Sequence, residues 1–156
     1  MKKLLNRFNN DKKTIIITGG SGYIGIHLVH YLFRLKKYNI IVVDKVKHQF
    51  IKKKKIEFVK VDLSKFDEIN YVIKKFSPKL IIHLAGLSHI TDSFEQKNKY
   101  KINNELASGN LFKAMKLNYC KNIIFSSSCL VYRNKTNQPE SKKKLIGLSP
   151  YAKNKI

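Results

Sequence analysis

Tryptophan is absent from this 156-residue chain, proline occurs three times and cysteine twice. Cys120 and Cys129 lie nine apart around an apolar run, which matches neither a secreted disulfide framework nor a zinc site; two reduced, partly buried thiols are expected. His27, His30, His48 and His89 have no metal-ligand spacing with any partner, so no metal is expected. No segment reaches the ~20 apolar residues a membrane span needs. The basic start, Met1 to Phe8, lacks the apolar stretch of a signal peptide, and a cytoplasmic protein without a membrane partner is expected.

Acidic residues are also scarce, ten against 32 basic, for a net charge of +22. Arginine, the usual reader of bases and phosphates, contributes only three of the basic residues against 29 lysines. The lysines spread along the whole chain, densest at Lys52–Lys55 and Lys142–Lys144, and Asn and Ile are abundant, as a bias toward adenine- and thymine-rich codons would give. Specific nucleic-acid binding is therefore the weakest of the functions considered, and non-specific attraction to polyanions at low salt is expected.

What is present is an alternation of strand-like and helix-like segments. A chain of this length buries roughly 70% of its unfolded surface, enough for one domain with a core. Thr14–Thr18 is a β-branched run suited to a strand buried on both faces. Ile24, Leu28, Tyr31, Leu32 and Leu35 recur at helical spacing, and Asn39 reads as the turn after them. Further strands are expected at 40–44, 56–62, 80–85 and 122–127, with a basic connection over 45–55. A helix capped by Ser64, with Asp67 and Glu68 near its positive end, should run to Phe76 and stop at Ser77-Pro78. Another helix is expected from about Asn98 to Asn118, a polar surface loop over 132–149, and a last helix from Pro150. Repeated βαβ units imply an α/β fold of the Rossmann type: a doubly wound parallel sheet in three αβα layers, with ligands at the carboxyl ends of the strands.

The turn Gly19-Gly20-Ser21-Gly22-Tyr23-Ile24-Gly25 follows a strand and opens a helix, the context that makes a glycine triplet informative. Gly19 and Gly22 would permit a tight turn and close approach of backbone to a pyrophosphate, and Gly25 would let the helix pack on the sheet. The free N–H groups and positive dipole of the helix start would face the phosphates. Asp44, ending the second strand, is placed to accept hydrogen bonds from adenosine ribose hydroxyls. That favours NAD over NADP, although Lys45 and Lys47 stand close enough to approach a 2′-phosphate.

At these residues the chain resembles the extended short-chain dehydrogenase/reductase, or NAD-dependent epimerase/dehydratase, family, with Tyr23-Ile24 in the form typical of UDP-glucose 4-epimerases. The likeness covers nearly the whole chain. It implies that Asp62-Leu63 holds adenine, that Leu84, Ala85, Gly86 and Leu87 pass along the cofactor, and that Asn104 (Asn103 being the alternative) buttresses the site. His83, beside them in an apolar strand, reads as a hydrogen-bonded core residue. The resemblance further implies a catalytic set of Ser128, Tyr151 and Lys155, with Ser128 and Tyr151 on the substrate and Tyr151 and Lys155 also on the cofactor. Ser128 is preferred to Ser126 and Ser127 by its register three residues before Val131-Tyr132.

Tyr151 and Lys155, four apart, share one face of a helix. A free tyrosine has a pKa of about 10, and bringing one toward ~7 takes about 4 kcal/mol, which a lysine ammonium and the oxidised nicotinamide ring together can supply in a partly dry cleft. The implied reaction interconverts UDP-glucose and UDP-galactose by transient hydride transfer to NAD. Cys129-Leu130 stands where dehydratases carry an acidic pair, which favours epimerisation. Three departures from the family pattern stand out: Ser88 for a lysine, and Ala107 and Arg133 for glycines. The resemblance also implies a C-terminally truncated Rossmann domain over 1–156, without the substrate domain that grips the uracil and diphosphate. The alternatives are a non-catalytic or decayed NAD-binding fragment and another NAD-dependent nucleotide-sugar epimerase or dehydratase. A homodimer is kept open.

Overall fold

A computed structural model describes residues 12–54, 56–132 and 147–156. Lys55, Arg133 and Lys142–Lys144, with most of the expected surface loop, lie outside the described residues. Five parallel strands form one sheet in the order β3-β2-β1-β4-β5. They are β1 (Lys13–Thr18), β2 (Tyr38–Asp44), β3 (Glu57–Lys60), β4 (Leu80–His83) and β5 (Ile123–Phe125). Between them run α1 (Tyr23–Leu35), α2 (Gln49–Lys53), α3 (Phe66–Phe76), α4 (Ile90–Glu95), α5 (Lys97–Tyr100) and α6 (Ala107–Leu117). A π-helical turn over Lys101–Leu106 joins α5 to α6, a 3₁₀ turn spans Cys129–Val131, and α7 covers Pro150–Lys153.

The strands are apolar on both faces, and their alternation sorts them into two cores. Ile16, Ile41 and Ile81 face α3 and α6, meeting Ile69, Val72, Ile73, Leu111 and Met115. Ile15, Ile17, Ile40 and Val42 face the other way, onto Val29 and Leu32 of α1 and Ile51 of α2. This is the expected three-layer arrangement. No helix among the described residues is long and apolar enough to cross a membrane.

Several boundaries differ from expectation. Asn39 is no turn: it lies within β2 opposite Thr14, and its Nδ2 donates to the Lys12 carbonyl at 3.2 Å. The chain reverses at Lys36 instead, in the left-handed region at φ 54°. Ser64 does not cap α3. Its hydroxyl donates to Asp62 Oδ1 at 2.8 Å, while Lys65 takes the cap position and Glu68 reaches back to accept from the Asp62 N–H at 2.8 Å. The basic connection contains α2, capped by His48 Nδ1, which accepts from the Phe50 N–H. The helix expected over 98–118 starts at Lys97 and is broken by the π-helical turn. Ser77, at φ 41°, ends α3 as expected, and the Ser149 hydroxyl caps α7 over Pro150 by accepting from the Ala152 N–H.

Candidate functional site

All five strands end on the same side, and a cleft of about 390 Å³ opens there between the glycine turn, the ends of β2 and β3, and the segment after β4. Of the residues expected at a dinucleotide, Gly19, Gly22, Asp44, Asp62, Leu63, Leu84, Ala85, Gly86 and Leu87 line it. Gly19 has φ +71°, and a Cβ there would come within 2.5 Å of the Ala85 nitrogen. The turn can therefore close only without a side chain. A Cβ on Gly25 would overlap the Gly19 carbonyl oxygen, so the first turn of α1 sits directly on the loop. The Gly22 N–H donates to that same carbonyl at 3.0 Å. Tyr23 and Ile24 do not enter the cleft: their side chains are 84% and 64% exposed, and only their place in the first helical turn brings them near it.

Asp44 and Asp62 stand at the ends of adjacent strands. Asp44 Oδ2 accepts from the Ser21 N–H at 3.0 Å and Oδ1 from the Lys45 N–H at 2.7 Å, so the carboxylate is tied back to the glycine turn. Asp62 Oδ1 accepts from the Ser64 N–H (3.0 Å) and hydroxyl (2.8 Å), and Oδ2 pairs with Lys45 Nζ at 3.2 Å. Partial burial acts to raise the Asp62 carboxyl, but the Ser64 hydrogen bonds and the Lys45 ammonium outweigh it and hold the group below the usual carboxylate range. Neither lysine after Asp44 points freely into the cleft. Lys45 also donates to Asn103 Oδ1 at 3.0 Å, and Lys47 lies over the Phe58 ring at 5.6 Å. Ser21, Val46 and His48 line the cleft without having been anticipated. Ser21 sits inside the glycine motif, and its contribution comes through its backbone N–H and through a hydroxyl that accepts from the His48 N–H.

The segment after β4 is held from outside. Asn104, 1% exposed, accepts from the Leu87 N–H at 2.8 Å and donates to the Leu87 carbonyl at 2.9 Å, while Asn103 faces the cleft. Gly86 has φ +148°, and a Cβ on it would lie 3.0 Å from Asn104 Oδ1 and 3.4 Å from Lys155 Nζ. The glycine thus lets Asn104 and the Lys155 ammonium pack close against the cleft wall. Ala107 is buried and lines the cleft, and Ser88 is exposed.

Lys155 is 8% exposed, with its ammonium donating to the Ser126 carbonyl at 3.0 Å and lying 5.1 Å above the Phe125 ring. Burial pushes its pKa down. It follows the end of α7 in a tightened turn, its N–H bonded to the Ala152 carbonyl, rather than completing a regular helical turn after Tyr151. Tyr151 is 9% exposed. Ser128 accepts from the Leu130 N–H at 3.2 Å and so starts the 3₁₀ turn, while Ser127 donates to the Lys155 carbonyl at 3.5 Å. The three expected catalytic residues thus lie at the 3₁₀ turn after β5 and in or just after α7. Among the described residues, no hydrogen bond joins the Tyr151 hydroxyl to Ser128 or Lys155.

His83 behaves as a core residue. It is 1% exposed, with Nδ1 2.6 Å from Thr18 Oγ1 and Nε2 2.9 Å from Ser108 Oγ. Burial first, then the nearby Lys155 ammonium, lowers its pKa to about 4, so it is neutral at physiological pH. Cys120 is half-buried, but Cys129 is exposed, against the expectation of partial burial for both. Among the described residues, no cluster of three or more His, Cys, Asp or Glu is arranged to hold a metal ion.

Comparison with known proteins matches residues 15–156 to the family described as NAD dependent epimerase/dehydratase. The bifunctional protein GAL10 of Pachysolen tannophilus is 36% identical over 131 residues, 78% of this chain and 19% of that protein. The crystal structure of UDP-glucose 4-epimerase from Brucella ovis in complex with NAD superposes with a TM-score of 0.81 at 28% identity, covering 92% of this chain and 44% of that one. UDP-N-acetylglucosamine 4-epimerase from Methanobrevibacter ruminantium, in complex with UDP-N-acetylmuramic acid, gives 0.79 at 30% identity, over 93% and 47%. The chain spans less than half the length of each of these relatives.

Proposed function

This chain belongs to the NAD-dependent epimerase/dehydratase family, and on that premise we propose that residues 1–156 form an NAD-binding Rossmann domain serving the interconversion of UDP-glucose and UDP-galactose. One observation carries the reading: the glycine turn, Asp44, Asp62 and the Leu84–Leu87 segment line one cleft, and Gly86 on its wall lies against Lys155, where a Cβ would come within 3.4 Å of the ammonium. The fit to NAD is local as well as general. The turn at Gly19 admits no side chain, an orphan helix start follows it, and a carboxylate stands at the ribose position.

The chemistry that bound NAD would supply there is reversible acceptance of a hydride from the sugar carbon. The chain's own part is to place Ser128 and Tyr151 at the reacting hydroxyl, with Tyr151 accepting its proton. Lys155, held between the Ser126 carbonyl and the Phe125 ring, presents a positive charge beside that proton transfer. The neutral His83 beneath adds no competing charge. A cytoplasmic location and assembly as a homodimer belong to the same proposal.

Calorimetric titration of the 156-residue chain with NAD and NADP tests the cofactor half, with NAD expected to bind more tightly. A coupled assay for UDP-galactose formed from UDP-glucose tests the other half. Binding of NAD without interconversion would favour the non-catalytic reading, and absence of NAD binding would sink both.

A further inference from the structure

The adenosine end of the cleft carries a side-chain network that the proton and hydride chemistry does not use. Its centre is Lys45, whose ammonium lies 3.2 Å from Asp62 Oδ2 and 3.0 Å from Asn103 Oδ1. Each partner is itself fixed. Asp62 Oδ1 is occupied by the Ser64 N–H and hydroxyl, which leaves Oδ2 for Lys45. Asn103 Nδ2 donates to the Lys99 carbonyl at 2.9 Å, which orients its amide so that Oδ1 faces Lys45. The consecutive Asn104 is meanwhile committed to both polar groups of Leu87. Lys45 thus links the end of β2, the end of β3 and the π-helical turn, and all three residues line the cleft.

We propose that Lys45 is a positioning residue for the adenosine half of the dinucleotide, orienting the Asp62 carboxylate and tethering it to Asn103 across that end of the cleft. The inference rests on the NAD-binding reading above and goes beyond it in naming the group that holds the adenine-side carboxylate in place. The lysine and aspartate side chains are 50% and 32% exposed, so the ion pair contributes little to the free protein. A bound base would displace water from the same spot, and the pair would strengthen as the local dielectric falls. Its contribution therefore emerges on binding rather than on folding.

The test uses the 156-residue chain with NAD and ADP-ribose as probes. Lys45→Met keeps the aliphatic length, Lys45→Arg keeps the charge, and Asn103→Leu removes the second anchor. Lys45→Met is expected to weaken both probes about fivefold, the scale of one pair of this kind, through faster dissociation. It should also flatten the salt dependence of dissociation and leave the ligand-free thermal midpoint in place. Lys45→Arg should recover most of the affinity. The Lys45→Met/Asn103→Leu double variant should be no worse than Lys45→Met, because the two residues act as one unit. Unchanged ADP-ribose binding in Lys45→Met, or weakening matched by a fall in the ligand-free midpoint, would overturn the proposal. A wild-type chain that binds neither probe would instead remove the NAD reading itself.

Discussion

The two ends of the sheet are built to different standards. On the side of the glycine turn, β1 pairs with β2 from Lys13 to Thr18, and all four carboxylate oxygens of Asp44 and Asp62 have partners. On the other side β5 meets β4 only from Ile81 to His83, Ile124 is 55% exposed, and among the described residues the Tyr151 hydroxyl bonds neither of its expected companions. The difference teaches where preorganisation resides. The groove for the cofactor is set by backbone and buried contacts within the described chain, whereas beside β5 Lys155 is fixed by Ser126, Phe125 and its own burial.

This contrast can be broken most forcefully at Gly25. Gly25→Ala pushes a methyl into the Gly19 carbonyl and should cost on the order of 4 kcal/mol. A wild-type urea midpoint would mean that the turn does not close as described. Next in size is a pair of isoleucines. Ile41→Ala, in a fully buried strand position, should lose about 3 kcal/mol, and Ile124→Ala less than ~0.5. Equal losses in urea unfolding would erase the distinction between the two ends.

His83 offers a comparable effect through pH. Its folded value of about 4 lies below the ~6.5 of an unfolded histidine, so the unfolded chain binds more protons between those values. The stabilisation is complete above about pH 6.5 and is lost as pH falls toward 4, by about 3 kcal/mol at most. A series of urea midpoints should follow that slope, and His83→Gln should flatten it. A flat wild-type profile would contradict the neutral buried imidazole. The smallest effect sharpens the cofactor side: Asp44→Asn should weaken NAD about tenfold, some 1.4 kcal/mol, and narrow the margin over NADP. Titration with both nucleotides reads it, and an undiminished preference for NAD would take Asp44 out of cofactor selection.

Much of the cofactor side was legible in the sequence because its determinants are local. A strand, a glycine-rich turn and a helix must follow one another, and Gly19, Asp44 and Gly86 occupy positions where backbone geometry leaves little choice. What the sequence hid were relations between distant segments. Nothing near Lys45 announces that Asn103, 58 residues on, will accept its hydrogen bond. Ser64 looked like a cap because serine commonly is one, and tertiary contact with Asp62 claimed its hydroxyl instead. Asn39 looked like a turn by composition, yet pairing with β1 drew it into the sheet. The expected catalytic trio follows from resemblance, and its spacing alone does not foretell the tightened turn that carries Lys155.

The π-helical turn at Lys101–Leu106 has a consequence for how this helix can vary. Successive residues of an α-helix are about 100° apart, so one extra residue in a turn resets the phase of everything after it. Asn103 and Asn104 lie within that turn, while Leu111, Ala114 and Met115 reach the core downstream of it. The two halves can therefore drift independently by substitution, but a single-residue deletion between them would swing one face out of alignment. In this stretch, insertions and deletions are the hazardous changes, even where many point replacements would pass.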